Sequence, residues 1–464
     1  MLVDEPEAKL DEALDVVVRE LGGEEREGQK AMAHAMADML AGDGHCLVQA
    51  GTGTGKSVAY LVPAALHATG PGHQPVIVAT ATLALQRQLV ERDLPRIAQA
   101  LEPVVGRPLD FAVLKGRNNY VCLQKLHGTV VDDEGEALFD SPRTELGKQA
   151  VSVRAWAEVT ETGDRDEYSD DIDPRVWRAF SVGRRECVGE ARCTYGEECF
   201  TVLRRQQAMD ADIVVTNHAM LAIDAIEGIP VLPPHDAVIV DEGHELVDRA
   251  TAAISSDLSA ATIERAAARA RRLVGPEVME KLDDCADGLE AALREVLGDG
   301  PGPVRVRESA KALTISLAAV RDAVHLATTV IQAESDPSQP DDLAARQLAR
   351  GALEEIHDTA GAMLSAGSND VVWVDAGEGR APSIRLAPMS VAGLLRTALF
   401  DKGPVGLTSA TLTVAGGFSS VLDSLGLDAE CATTLDVGSP FDYAKQGILY
   451  VAKHLPPPGR DGVA

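Results

Sequence analysis

Ala50-Gly51-Thr52-Gly53-Thr54-Gly55-Lys56-Ser57 is the stretch that decides the fold. The run before it, His45-Cys46-Leu47-Val48-Gln49, reads as a buried strand, and Val58-Ala59-Tyr60-Leu61-Val62 after it opens a helix. A strand, a glycine-rich turn and a helix start form the context of a phosphate loop. The glycines let successive backbone N–H groups converge on one anion, and the helix N-terminus adds partial positive charge. In such a loop Lys56 reaches the β- and γ-phosphates and Ser57 holds Mg²⁺. Ala50 stands where the commonest form of the loop has glycine.

Upstream, residues 4–41 read as two helices, with Arg26-Glu27-Gly28-Gln29 just before the second. A Gln placed ahead of a phosphate loop can hold adenine through N6 and N7. Arg26 and Gln29 are therefore candidate nucleotide contacts. Downstream, Gln74 to Thr80 reads as a buried strand, followed by a helix start at Thr82. Hydroxyls there suit phosphate contacts, and ordinary helix capping by Thr82 fits equally well. Further apolar runs precede Lys115 and Arg117, span Ala211 to His218 and Ala237 to Val240, and end at Thr408-Ser409-Ala410-Thr411. Strands near 46, 77, 112, 214, 239 and 406 predict a parallel α/β sheet with helical crossovers.

Asp241-Glu242-Gly243-His244 closes one of these strands. An acid at the end of a strand expected beside the phosphate-loop strand can hold Mg²⁺. A second acid can polarise the water that attacks the γ-phosphate, and His244 can relay between this site and another domain. Phosphate loop and acidic box supply complementary halves of one hydrolytic site.

The seven cysteines are odd in number, so a disulfide framework is not expected. Cys187, Cys193 and Cys199 recur at steps of six, and Cys122 follows an earlier strand. Zinc usually takes C-x₂₋₄-C pairs. The wider steps suit a bulkier iron–sulfur centre held by four thiolates. Cys46, Cys285 and Cys431 read as core or incidental. Residues 123–186 are polar and acidic, with Trp156 and Trp177 as anchors of a small module. From Glu245 to about Ala366 the chain is Ala-rich, with breaks at Gly298–Pro303 and Ser335–Pro340, which predicts three or four helices.

The net charge of −29 argues weakly against nucleic acid. Screening acts over about 8 Å, however, so a local basic patch can outweigh distant acid. Lys115, Arg117, Arg184, Arg185, Arg192, Arg204 and Arg205 gather near the cysteines, while acid concentrates in Asp4–Glu27, Asp132–Glu136 and Asp164–Asp173. No N-terminal basic segment leads into an apolar one, and no apolar run reaches about 18 residues. A cytoplasmic, nucleoid-associated protein with no membrane partner is expected.

The phosphate loop, Lys115-Gly116-Arg117 with Asn119-Tyr120 and Cys122, the cysteine triplet, Thr216-Asn217-His218, the DEGH box, Thr408 to Leu412 and Ser439-Pro440-Phe441 follow one another in a distinctive order. Over residues 20–455 the chain resembles the DinG branch of the XPD-like, iron–sulfur superfamily 2 DNA helicases. The resemblance implies a RecA-like P-loop NTPase sheet with two inserts, a 4Fe-4S cluster domain and a helical arch. It implies that ATP drives 5′-to-3′ movement on single-stranded DNA, opening forks or RNA–DNA hybrids in repair or replication.

By motif, Arg26, Gln29 and residues 50–57 would hold ATP. Ser57 and Asp241 would hold Mg²⁺, and Lys56, Asp241, Glu242 and His244 would carry the chemistry. Cys122, Cys187, Cys193 and Cys199 would hold the cluster. Thr80, Thr82, Lys115, Arg117, Arg184, Arg185, Arg204, Thr408 and Thr411 would meet DNA. The implied boundaries are 1–121, 200–245 and 371–415 for the first RecA-like domain, 122–199 for the cluster domain, 246–370 for the arch, and 416–464 for the start of a second RecA-like domain.

Such helicases close ATP between two RecA-like domains, and only a short stretch follows Thr413 here. The chain is therefore expected to be a fragment, a truncated product or one part of a split enzyme. In any of these forms it is expected to be inactive for unwinding alone, and as part of a split enzyme it would be completed by a separate polypeptide that supplies the second RecA-like domain. A non-hydrolysing ATP- or DNA-binding remnant and a cluster-based redox-sensing regulator are the other classes left open.

Overall fold

Short runs of Val, Ile, Ala and Leu between polar turns are long enough for one strand and too apolar for a surface. They form strands covered on both faces. The computed structural model describes residues 5–451, apart from 25, 43, 128–143, 229, 299–301, 308–309, 334–339 and 377–380. The acidic run Asp132–Glu136 and the last residues from Ala452 lie outside the described residues.

The strands are β1 (His45–Gln49), β2 (Val76–Thr80), β3 (Phe111–Val113), β4 (Ile213–Asn217), β5 (Ala237–Asp241), β6 (Ser256–Ser259), β7 (Val304–Arg305), β8 (Asp370–Asp375), β9 (Ser383–Pro388), β10 (Val405–Ser409) and β11 (Ala432–Asp436). Seven of them make one parallel sheet in the order β11-β1-β10-β5-β2-β4-β3. The other four make an antiparallel sheet in the order β6-β9-β8-β7.

Helices α1 (Glu5–Glu20), α2 (Glu27–Ala41) and α3 (Lys56–Ala68) cover one face of the parallel sheet. Their Val17, Met32, Met36 and Leu61 pack with Val48, Val78 and Ile239. The other face buries Leu47, Ile77, Val214, Val238 and Leu407 under Leu221, Leu246 and Leu395. Neighbouring residues of one strand, such as Ile77 and Val78, thus serve opposite cores, as the twofold period of a strand requires. Each large side chain so buried contributes roughly 1.5–3 kcal/mol.

Three expectations need correction. First, β5 does not lie beside the phosphate-loop strand: β10 sits between them, pairing Val48 with Thr408 on one side and Asp241 with Thr408 on the other. Second, residues 371–388 do not complete the parallel sheet. β8 and β9 pair antiparallel with each other, and β9 pairs with β6. Their Val374 and Ile384 are buried in the helical insert's core. Third, the stretch after 416 begins by extending the first sheet, because β11 pairs in parallel with β1 from His45↔Ala432 to Gln49↔Asp436.

The insert's helices span Ala260–Ala270, Pro276–Leu297, Lys311–Ala333 and Pro340–Leu364. Lys311–Gln332 is apolar and long enough, by composition and length alone, to cross a membrane. Arg321 and Asp322 stand in its middle, and Leu313, Leu317, Val320, Val324 and Ile331 are buried in the insert's core. The cysteine-bearing module has its own core of Val121, Leu126, Val153, Val176, Trp177 and Phe180, with Trp156 packed against it.

Candidate nucleotide site and cysteine centre

The carboxyl ends of β1, β10 and β5 converge, and the candidate site is built there. Gly53 and Gly55 have φ of 83° and 84°, a left-handed backbone that side-chain-bearing residues rarely adopt. Gly55 is the N-cap of α3, so Lys56 and Ser57 open the helix. Gln29 is buried and its Nε2 donates to the carbonyl of Gly55 at 3.1 Å. The Arg26 guanidinium donates to the carbonyl of Gly53. Both residues thus brace the loop. On its outer side the N–H of Gly51 donates to the carbonyl of Gly438 at 3.0 Å, and Phe441 packs against Gly53.

Lys56 Nζ lies 3.1 Å from Glu242 Oε1. Glu242 itself has φ 52°, a conformation that turns the chain sharply after β5. Asp241 is buried, and burial raises its carboxyl above the usual range. It accepts from the Tyr60 hydroxyl at 3.1 Å and from the backbone N–H of Glu242 at 2.9 Å. Burial, followed by the neighbouring Asp241, pushes the Tyr60 phenol well up, so Tyr60 stays a neutral donor.

Ser409, at the end of the intervening β10, donates to Glu242 Oε2 at 3.3 Å and lies 2.7 Å from Nδ1 of His244. Its Oγ also accepts from the N–H of Thr411 at 3.2 Å. Beside it, Gln49 Oε1 accepts from the N–H groups of Leu412 and Thr413, each at 2.8 Å. Sequence reasoning missed Tyr60 and Gln49, and took Ser409 only as part of the Thr408–Thr411 motif. The signal available was polarity at the end of an apolar strand, or in the apolar first turn of a helix.

The DNA set is scattered. Thr80 and Thr408 are fully buried. Thr408 is out of reach of DNA, against Met32. Thr82 caps the helix Leu83–Gln88 by accepting from Leu85 N–H, so the capping role is the one seen. Lys115 is buried and bonded to Asp164 at 2.6 Å and Asp166 at 2.7 Å, which spends its charge inside the protein. Thr411 is exposed. Arg184 and Arg185 line a cleft with His325, Thr329 and His357 of the helical insert, and Arg185 pairs with Asp358 at 2.6 Å. Arg204 bonds Gln207 at 2.7 Å.

Cys122, Cys187, Cys193 and Cys199 line one cavity. Tetrahedral zinc, with Zn–S near 2.3 Å, needs sulfurs about 3.8 Å apart. Among the described residues, no three of these sulfurs lie within 4.8 Å of one another. Arg117 donates to Cys187 Sγ at 3.6 Å. Arg205 Nε is buried with no hydrogen-bond partner among the described residues, and Cys187 and Cys199 bear electrostatically on the same guanidinium. Burial pushes the Cys122 thiol up to about 11. Four thiols around one cavity, beside two guanidinium groups, have the donor set and the balancing charge that an anionic metal centre needs. Cys46 and Cys285 are buried elsewhere with thiols near 12, and Cys431 is exposed.

A parallel sheet with a phosphate loop on one strand and an Asp–Glu pair two strands away defines a P-loop NTPase of RecA type. Residues 28–107 match the DEAD/DEAH box helicase family. Over 97% of its length the chain is 45% identical to the ATP-dependent helicase DinG of Mycobacterium tuberculosis strain H37Ra, spanning 69% of that protein. It is 31% identical to the ATP-dependent DNA helicase YoaA of Escherichia coli K12, covering 96% of this chain and 68% of that one. Among solved structures, an XPD helicase superposes with a TM-score of 0.50 at 15% identity, over 89% of this chain and 62% of that one. The chain belongs to the DinG family of ATP-dependent helicases.

Proposed function

We propose that this chain is the motor and cluster-bearing part of an ATP-dependent DNA helicase that moves 5′ to 3′ on single-stranded DNA, opening forks or RNA–DNA hybrids. The observation that carries the reading is the 3.1 Å pair between Lys56 and Glu242, with Ser409 and His244 at the same carboxylate. Lys56 is the cation for the β- and γ-phosphates, and Ser57 with Asp241 offers the hard oxygen donors that Mg²⁺ prefers. Glu242, released from Lys56 when phosphate takes its place, is the carboxylate that orients and polarises the attacking water. Arg26 and Gln29 hold the loop and face the adenine side.

Cys122, Cys187, Cys193 and Cys199 hold a 4Fe-4S cluster, whose bound thiolates fix the module's fold. Arg117 and Arg205 balance its negative charge. Arg184, Arg185, Arg204 and Thr411 supply the DNA contacts. On this reading residues 122–199 are the cluster domain, 246 to about 388 the arch, and the parallel sheet through β11 the first RecA-like domain.

A polypeptide of residues 1–464 alone forms one wall of the ATP site. It grips single-stranded DNA with salt-sensitive affinity, but unwinding needs the facing RecA-like domain. An arginine from that side is worth roughly 10³–10⁵ in rate in related phosphoryl-transfer enzymes. Strand displacement on a forked duplex, with and without an added second domain from the family, tests this. Restoration by the added domain supports it. ATP-dependent unwinding by residues 1–464 alone contradicts it.

A further inference from the structure

The lower end of the sheet, opposite the phosphate loop, carries a second constellation. The sequence His67-Ala68-Thr69-Gly70-Pro71-Gly72-His73 closes α3 and leads into β2. Gly72 has φ 82°, and a side chain at Gly70 would collide with the His73 ring, its Cβ falling 2.8 Å from Cδ2. The two glycines let the loop fold His73 back over His67, with ring centroids 4.0 Å apart. Asp236, just before β5, points its Oδ2 at both: 3.2 Å from His67 Nε2 and 3.0 Å from His73 Nδ1. The same oxygen accepts from the backbone N–H of Gln74 at 2.9 Å, and the N–H of Asp236 donates to the carbonyl of Pro75 at 3.1 Å.

We infer that His67, His73 and Asp236 form a binding site for a divalent transition-metal ion, zinc above all. The two nitrogens and the carboxylate oxygen all lie within 4.8 Å of one another. With Zn–N and Zn–O bonds near 2.0 Å, a tetrahedral ion places its donors about 3.3 Å apart. The two measured N···O separations are close to that. Two imidazoles and one carboxylate favour zinc over Mg²⁺, which prefers an all-oxygen shell. Gln74 N–H supplies the outer hydrogen bond that orients a ligating carboxylate. His73 is partly exposed, with 43% of its side-chain surface open, so an ion can enter and keep a water as fourth ligand.

The site lies at the C-terminal end of α3, whose partial negative charge favours a cation. The first residue of that helix is Lys56. An ion here ties the far end of the phosphate-loop helix to the starts of β2 and β5. It is separate from the Mg²⁺ position by the length of a 13-residue helix, about 20 Å.

The test is zinc binding by the anaerobically purified, cluster-containing chain in excess Mg²⁺, read by equilibrium dialysis and by zinc X-ray absorption. One zinc per chain is expected, with an inner shell of nitrogen and oxygen and an imidazole signature. His73→Ala and Asp236→Asn should each weaken it at least a hundred-fold, while Lys56→Ala leaves it unchanged. Sulfur in the zinc shell, equal zinc affinity in His73→Ala and the parent, or no zinc bound by the parent would each overturn the inference. The absorption spectrum of the parent decides the ligand set even where a variant fails to fold.

Discussion

Ser409 Oγ stands 2.7 Å from His244 Nδ1. The same hydroxyl lies 3.3 Å from Glu242 Oε2, so Ser409 bridges the imidazole and the carboxylate. The strand that separates β1 from β5 thereby brings the Thr408–Thr411 segment into direct contact with the Glu242 carboxylate. Thr411, one turn of chain away, is exposed and bonded to Ser409 through its N–H. A shift of that segment has a short path to Glu242.

Ser409→Ala should therefore uncouple the two. The lost contacts are to half-buried Glu242 and exposed His244, and one such hydrogen bond contributes about 0.5–1.5 kcal/mol. In the complete enzyme, single-strand-stimulated ATP hydrolysis should fall by roughly tenfold, with nucleotide affinity little changed. Steady-state rates with and without oligonucleotide check this. An unaltered stimulation ratio would show that Ser409 is only packing.

The cysteine centre makes a separate prediction. Cys193→Ser should bleach the brown colour of anaerobically purified protein and lower its iron well below the four per chain of a full cuboidal cluster. Limited proteolysis should then cut within residues 122–199 faster than in the parent. A colourless parent holding one zinc at the cysteines would refute the assignment.

Much of this was legible because the chemistry is local. The phosphate loop, the DEGH box and the buried strands announce themselves within ten residues each, and the helices resume after breaks at Gly298 and near Pro340, as their turn residues require. Strand order was not legible. That β10 inserts between β1 and β5, and that β11 adds beside β1, depends on pairing across hundreds of residues. The polar Ser256–Ser259 gives no strand signal of its own, so the partner that draws 383–388 into the second sheet was invisible. Lys115 misled for a related reason. Beside Arg117 it reads as part of a basic patch, and only the fold brings Asp164 and Asp166 to it.

His218 sets an acid limit on stability. Its Nε2 lies 2.8 Å from the carbonyl of Asp241, and burial holds its imidazole down to about 4, against an ordinary 6.5. Between those values the unfolded chain takes up a proton that the folded chain refuses. Stability is therefore full above about pH 6.5 and falls as pH drops toward 4. The loss amounts to about 3 kcal/mol. In His218→Gln, the fall in unfolding free energy between pH 7 and pH 4.5 should shrink by about 2–3 kcal/mol. Equal acid sensitivity in denaturant titrations of the two proteins would contradict the assignment.

The most direct test of the account is nucleotide affinity in three proteins, measured with a fluorescent ATP analogue and Mg²⁺. Removing the Lys56 cation should cost roughly 1.5–3 kcal/mol, so Lys56→Ala should bind about one to two decades more weakly than the parent. Glu242→Gln should bind as tightly as the parent and lose hydrolysis. Equal affinity in Lys56→Ala and the parent would mean that the loop of residues 50–57 is not the nucleotide site.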